Sequence, residues 1–175
     1  IPIVYVSHST AEVARLADHL VVMEDGKVLA SGPTRETLAR MDNPFRLEDD
    51  AGVLVEGTIR ELDQRWHLAR FEFDGGSLWL RRDNGMKIGD RVRIQLLSRD
   101  ISLALEENPD RSIQNLVPAI IDQVDPDVAP GVSLVRLLAG PTPLLSRLTT
   151  RSVDQLGLEP GKTVWMQIKS VALVD

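Results

Sequence analysis

Gly89-Asp90-Arg91-Val92-Arg93-Ile94-Gln95-Leu96-Leu97-Ser98 decides how most of this chain is read, because it returns as Gly161-Lys162-Thr163-Val164-Trp165-Met166-Gln167-Ile168-Lys169-Ser170. Each copy opens on a glycine, runs through alternating apolar residues, and keeps Gln and Ser at matching places. A second pair lies upstream of each: Val55-Glu56-Gly57-Thr58-Ile59-Arg60-Glu61-Leu62-Asp63 lines up with Val117-Pro118-Ala119-Ile120-Ile121-Asp122-Gln123-Val124-Asp125. Self-similarity of this kind means one structural unit used twice. The offset grows from 62 to 72 between the two pairs, so the second copy carries about ten additional residues. A helix near Ser152–Leu156, capped by Thr149 or Thr150, is expected among them.

The texture around these anchors fits strands. From Gly52 onward the segments are short, rich in Val, Ile and Leu, and separated by Gly and Pro. That is the pattern of a small β-barrel or sandwich, here built of two related halves at about 52–105 and 113–175. Residues 42–51 are acidic (Glu48-Asp49-Asp50), contain Pro44, and read as a linker. Residues 1–41 differ again. Ile1–Val6 is apolar on both faces, as a central parallel strand covered by helices would be. Ser9 or Thr10 can cap a helix running through Ala11, Val13, Ala14, Leu16 and Ala17. Asp25-Gly26 is a two-residue hairpin turn between Leu20–Glu24 and Lys27–Ala30. Ser31-Gly32-Pro33-Thr34 reads as a break, and Arg35–Met41 as a return to helix.

Composition narrows the function classes. The chain has 175 residues, 43% hydrophobic and 26% charged, which suits one or two soluble globular domains. It has no cysteine, so disulfides and thiolate metal sites are excluded. A net charge of −6 argues against a nucleic-acid partner, which is bound largely through Lys and Arg. No apolar run reaches the roughly 18–20 residues of a membrane span, and no signal peptide is visible. A cytosolic domain is therefore expected.

The order of strand, histidine turn, helix and hairpin over residues 1–41 resembles the last stretch of the ATPase domain of an ABC transporter. The resemblance implies that His8 is the switch histidine facing the γ-phosphate of ATP, in a reaction that also uses Mg²⁺. The chain has no G-x-x-x-x-G-K-[ST] loop, no Leu-Ser-Gly-Gly-Gln stretch, and no apolar strand ending in Asp-Glu. It is therefore expected to be inactive alone, and to be the C-terminal part of a longer protein. The neighbours of Ile1–Val6 would lie in the missing segment, leaving an exposed sheet edge and apolar patch that favour self-association.

The repeated half resembles a molybdate-binding (Mop, or transport-associated OB) domain. The likeness rests on Gln95–Leu103, Gln167–Leu173, Ser112–Val117 and Leu148–Gly161. Taken whole, the chain is similar to the C-terminal part of the ATP-binding subunit of a bacterial molybdate ABC importer. The implied fold is an α/β remnant of an ABC ATPase domain followed by an all-β OB-like barrel domain. The implied setting is a peripheral homodimer on the cytoplasmic face of the inner membrane. It would engage a transmembrane permease and, indirectly, a periplasmic molybdate-binding protein.

By the same likeness, Ser98, Arg99, Lys169 and Ser170 match the family's oxyanion-binding positions, for molybdate or tungstate. Their chemistry suits a tetrahedral dianion, which offers only acceptors and needs converging hydroxyl, amide and cationic donors. Where related domains commonly read Ser-Ala-Arg-Asn, this chain reads Leu97-Ser98-Arg99-Asp100. Two other readings stay open. The four residues can be ordinary strand-end polar groups in a ligand-free dimerisation domain. The parent can also be an importer ATPase for sulfate, a sugar or a polyamine; a free-standing oxyanion sensor fits the first forty residues poorly. His19 is expected to be structural. His67 has no partner at zinc-ligand spacing, so no metal site is expected. Trp66, Trp79 and Trp165 are expected to pack in a core or interface.

Overall fold

The computed structural model describes residues 1–42, 51–107, 110, 112–126 and 129–174. The expected linker, apart from its ends Asp42 and Ala51, lies outside the described residues, and so does its acidic run Glu48-Asp49-Asp50. Residues 1–41 form a small unit: helix α1 (Thr10–Leu16), strands β1 (His19–Glu24) and β2 (Lys27–Pro33), and helix α2 (Thr34–Leu38). Ser9 caps α1, its side chain accepting from the Glu12 amide. Asp25 and Gly26 both take positive φ, 49° and 76°, the geometry that a two-residue hairpin of this hand requires.

Two local expectations are corrected. Ile1–Val6 is not a strand: these residues adopt no regular structure, and Ile1, Ile3, Val4, Tyr5 and Val6 are exposed. A strand needs a neighbour to take its N–H and C=O groups, and no described strand lies beside this segment. The break expected at Ser31–Thr34 is also absent. β2 runs on to Pro33, paired with His19, and α2 begins at once. Proline's missing donor is tolerated at that strand end.

The remainder is almost entirely β. The strands are β3 (Gly52–Asp63), β4 (Leu68–Phe73), β5 (Gly76–Arg81), β6 (Arg91–Leu97), β7 (Ile101–Ala104), β8 (Asn115–Pro126), β9 (Val132–Ala139), β10 (Thr142–Thr149), β11 (Thr163–Ile168) and β12 (Ala172–Val174). They form two antiparallel five-stranded sheets in the orders β12-β6-β3-β4-β5 and β10-β9-β8-β11-β7. The repeat is visible in this ordering: β3 to β6 correspond to β8 to β11. The last short strand of each half crosses over, so β7 pairs with β11 and β12 pairs with β6. Each half thus completes the other's sheet.

Hydrogen bonds fix the correspondence residue by residue. Ile59 donates to Asp90 and accepts from Gly89; Ile121 donates to Lys162 and accepts from Gly161. The same bulge follows, after Ile59 in β3 and after Ile121 in β8. The offset is 62 at Ile59/Ile121, 66 at Phe71/Leu137 and 72 at Gly89/Gly161. Four of the ten added residues therefore lie in the β8–β9 connection. The other six accompany helix α3 (Thr150–Leu156), which is capped by Thr149 and ended by Gly157 at φ 55°.

The core is aliphatic, as the scarcity of aromatics required. Ile59, Phe71, Leu78, Ile94 and Leu96 from one sheet and Leu137, Leu144, Val164 and Met166 from the other are fully buried in one cluster. The two halves touch tip to tip at their equivalent hairpins. A Cβ on Gly75 would stand 2.4 Å from the Ala139 carbonyl, and one on Gly140 would stand 2.9 Å from that of Asp74. Ser146 Oγ donates to the Ile101 carbonyl at 2.6 Å, which joins edge strands β10 and β7 and curls the second sheet toward closure.

Candidate oxyanion site and its relatives

The end of β6 and the end of β11 are equivalent by the repeat, and the crossing strands bring them to one face. Ser98, Arg99 and Asp100 form a single 3-10 turn between β6 and β7. Its first residue is held by the Ser98 amide donating to Ala51 at 2.8 Å. Across the β7–β11 ladder, the Lys169 amide donates to the Asp100 carbonyl at 3.0 Å. One backbone bond therefore joins the turn after β6 to the residues that follow β11.

The side chains there differ in exposure. Ser98 is completely buried, and its Oγ has no hydrogen-bond partner among the described residues. A buried hydroxyl without a partner is uncommon, because desolvating it costs about 1–3 kcal/mol. Arg99, Lys169 and Ser170 are exposed, and Asp100 is half-buried. Arg99 and Lys169 are the cations of these two ends, and Asp100 is the carboxylate between them in the turn. By the 72-residue offset, Leu97-Ser98-Arg99-Asp100 corresponds to Lys169-Ser170-Val171-Ala172. Each copy keeps one cation that the other lacks, so the chemistry is shared between the two ends.

His8 lies elsewhere. It is exposed in the turn ahead of α1. That turn is tied to the helix through Glu12, which accepts from Ser7 Oγ at 2.6 Å and from Tyr5 Oη at 3.1 Å. The hydrogen bond from Ser7, then that from Tyr5, holds the Glu12 carboxyl below its ordinary range. The same contact, by hydrogen bond and by charge, raises the Tyr5 phenol.

The weaker candidates resolve simply. His19 is exposed rather than apolar in setting, with Nε2 3.1 Å from Ser31 Oγ. Among the described residues no group of His, Asp and Glu could hold a metal ion. Trp66 is exposed in the β3–β4 turn, with the Arg65 guanidinium 4.7 Å over its ring, so it does not pack in the core. Trp79 and Trp165 are half-buried in strands.

Sequence reasoning missed the side chains that lock these ends. Asn115 accepts from the Trp79 amide at 2.7 Å and donates to the Trp79 carbonyl at 3.0 Å. This occupies the outer edge of β5 and ties it to the start of β8. Arg93 was missed as well: it lies 3.0 Å from Glu56 and 3.5 Å from Asp18, bridging the first sheet to the α1–β1 turn. Both contacts are non-local, and no motif marks them.

Comparison with known proteins agrees with this architecture. Residues 111–174 match the TOBE domain family. The chain is 51% identical to the molybdenum import ATP-binding protein ModC of Methylococcus capsulatus, over 100% of its own length and 49% of the relative. It is 51% identical to ModC of Thiobacillus denitrificans (99% and 48%) and 50% identical to ModC of Pseudomonas aeruginosa (99% and 48%). The chain spans about half the length of the curated relatives it matches. The solved structure of the cytoplasmic molybdate-binding protein ModG shares the fold, with a TM-score of 0.56, 22% identity, and coverage of 68% of this chain and 94% of that one. This chain is thus similar along its full length to the C-terminal half of the molybdenum import ATP-binding proteins ModC, and residues 111–174 match the TOBE domain family.

Proposed function

We propose that this chain works as the C-terminal part of an ATPase subunit that drives molybdate import, and that its β domain is the subunit's oxyanion-responsive module. The observation that carries the reading is the match along all 175 residues to ModC at 51% identity. No comparable support favours the sulfate, sugar or polyamine alternatives. On this reading residues 1–41 are the end of the ATPase domain, and His8 faces the γ-phosphate in the assembled protein. No helix among the described residues is long and apolar enough to cross a membrane. Attachment to the cytoplasmic face would come through a permease, with a second copy of the subunit and, indirectly, a periplasmic molybdate-binding protein.

The residues of this chain do not by themselves fit ATP and Mg²⁺. The sequence lacks a phosphate loop, and His8 stands exposed in the turn ahead of α1. No step of hydrolysis is assigned to this chain alone. The donor chemistry of its β domain supports the oxyanion reading. Arg99 and Lys169 supply charge, Ser170 an accessible hydroxyl, and Ser98 a buried hydroxyl with no other partner among the described residues. Charge-assisted bonds of this kind are about twice as strong as neutral ones.

Anion held there would favour one arrangement of the paired ATPase subunits and slow import when cytosolic molybdate is abundant. Coupling of about 1–3 kcal/mol suffices for such control. The test is ATPase activity of the intact transporter titrated with molybdate. The reading predicts a saturable fall in rate, lost in Lys169→Ala. A rate unchanged at saturating molybdate would contradict the regulatory role.

A further inference from the structure

The shortest strand among the described residues touches both units. β12, residues Ala172–Val174, begins two positions after Ser170 and pairs with β6 as Ala172↔Gln95, Leu173↔Ile94 and Val174↔Arg93. On its other side, Val174 packs against the apolar cluster of the N-terminal unit: Val13 and Ala14 of α1, Leu20 and Val22 of β1, and Leu54 of β3. Arg93, the register partner of Val174, reaches the same boundary through its ion pair with Asp18. The N-terminal cap of α1, in turn, holds the turn that carries His8.

We infer that β12 is the element through which occupancy at Lys169–Ser170 reaches α1 and the His8 turn. This inference rests on the oxyanion reading of that site. A strand of three residues has few ladder bonds, so it opens from β6 more readily than the long strands beside it. Fixing Lys169 and Ser170 on an anion shortens the free tether in front of β12 and favours its docked state. Docked, β12 supplies Val174 to the wall against which α1 packs. Undocked, it withdraws that wall and leaves α1 with less apolar cover. Both sites then bias one two-state element, which is the physical requirement for coupling between them.

The experiment is hydrogen exchange on this chain with and without sodium molybdate, read at the α1 amides of Val13 and Ala17. These bond to Ser9 and Val13 respectively. The amide of Ile121, bonded to Lys162 inside the second sheet, is the internal reference. Molybdate is expected to slow α1 exchange about 5-fold or more. In Val174→Ala, α1 is expected to lose that response while calorimetry still shows binding and exchange at Ile121 stays unchanged. Arg93→Gln, which leaves the apolar packing intact, is expected to halve the α1 response or more, and serves if Val174→Ala does not fold. Binding in the wild type with unchanged α1 exchange would overturn the coupling and leave the site. An α1 response that survives both variants would overturn the role of β12. Absence of molybdate binding would overturn the oxyanion reading and, with it, this inference.

Discussion

At the scale of single residues, the fold depends on a few positions where nothing else fits. Gly75 is one. A Cβ there would lie 2.4 Å from the Ala139 carbonyl and 2.8 Å from the Ala139 Cβ, in the contact between the two equivalent hairpin tips. Backbone cannot yield as a side chain end can, so Gly75→Ala is expected to destabilise the protein by about 1–3 kcal/mol, measured by urea unfolding. Unchanged stability would mean that the tips do not meet as described. Asn115 is another. Asn115→Ala removes two bonds to Trp79 and leaves both Trp79 groups open, at a cost of about 1–3 kcal/mol by the same measurement. Ser98, Arg99, Lys169 and Ser170 were singled out only through family likeness. Spacing alone could not show that Ser98 is buried or that the Lys169 amide bonds to Asp100.

At the scale of elements, the hairpin, α1, α3 and the β-rich texture were legible because each rests on local signals: Asp25-Gly26, Ser9, Thr149 with Gly157, and alternation. The strand expected at Ile1–Val6 failed because strandness there depends on a neighbour, not on the segment itself. The crossing of β7 and β12 was hidden for a related reason. Pairing is non-local, and strands of 4 and 3 residues carry too few alternations to declare a partner. The link between α1 and the preceding turn has a measurable signature. Tyr5 is the only tyrosine in the chain, and Glu12 raises its phenol pKa by hydrogen bond and charge. The neutral phenol is favoured in the fold, so this contribution is present below the unfolded pKa and is lost as pH rises through the folded one. Glu12 has the opposite sense: its lowered pKa means its contribution is lost as pH falls through the folded value. Absorbance titration is expected to show Tyr5 ionising above its ordinary range, and Glu12→Gln to bring it back. A Tyr5 titration indifferent to that substitution would contradict the tie between turn and helix.

At the scale of the whole molecule, two sheets that complete each other form the stable part, and a small α/β unit rides on the first of them. That unit leaves apolar side chains in water: Val4, Val6, Leu16, Val21, Met23 and Val28 among them. Surface of this kind favours association. Sedimentation is expected to show self-association that strengthens with concentration, and a sharply monomeric chain at high concentration would count against an exposed docking face. Oxyanion binding at the junction of the two halves is tested most directly by calorimetric titration of this chain with molybdate, with sulfate as the control anion and Lys169→Ala as the second protein. Saturable molybdate binding, weaker for sulfate and lost on removal of Lys169, is the predicted result. No heat of binding from a folded wild-type chain would contradict it and leave the β domain as a structural, dimerising module.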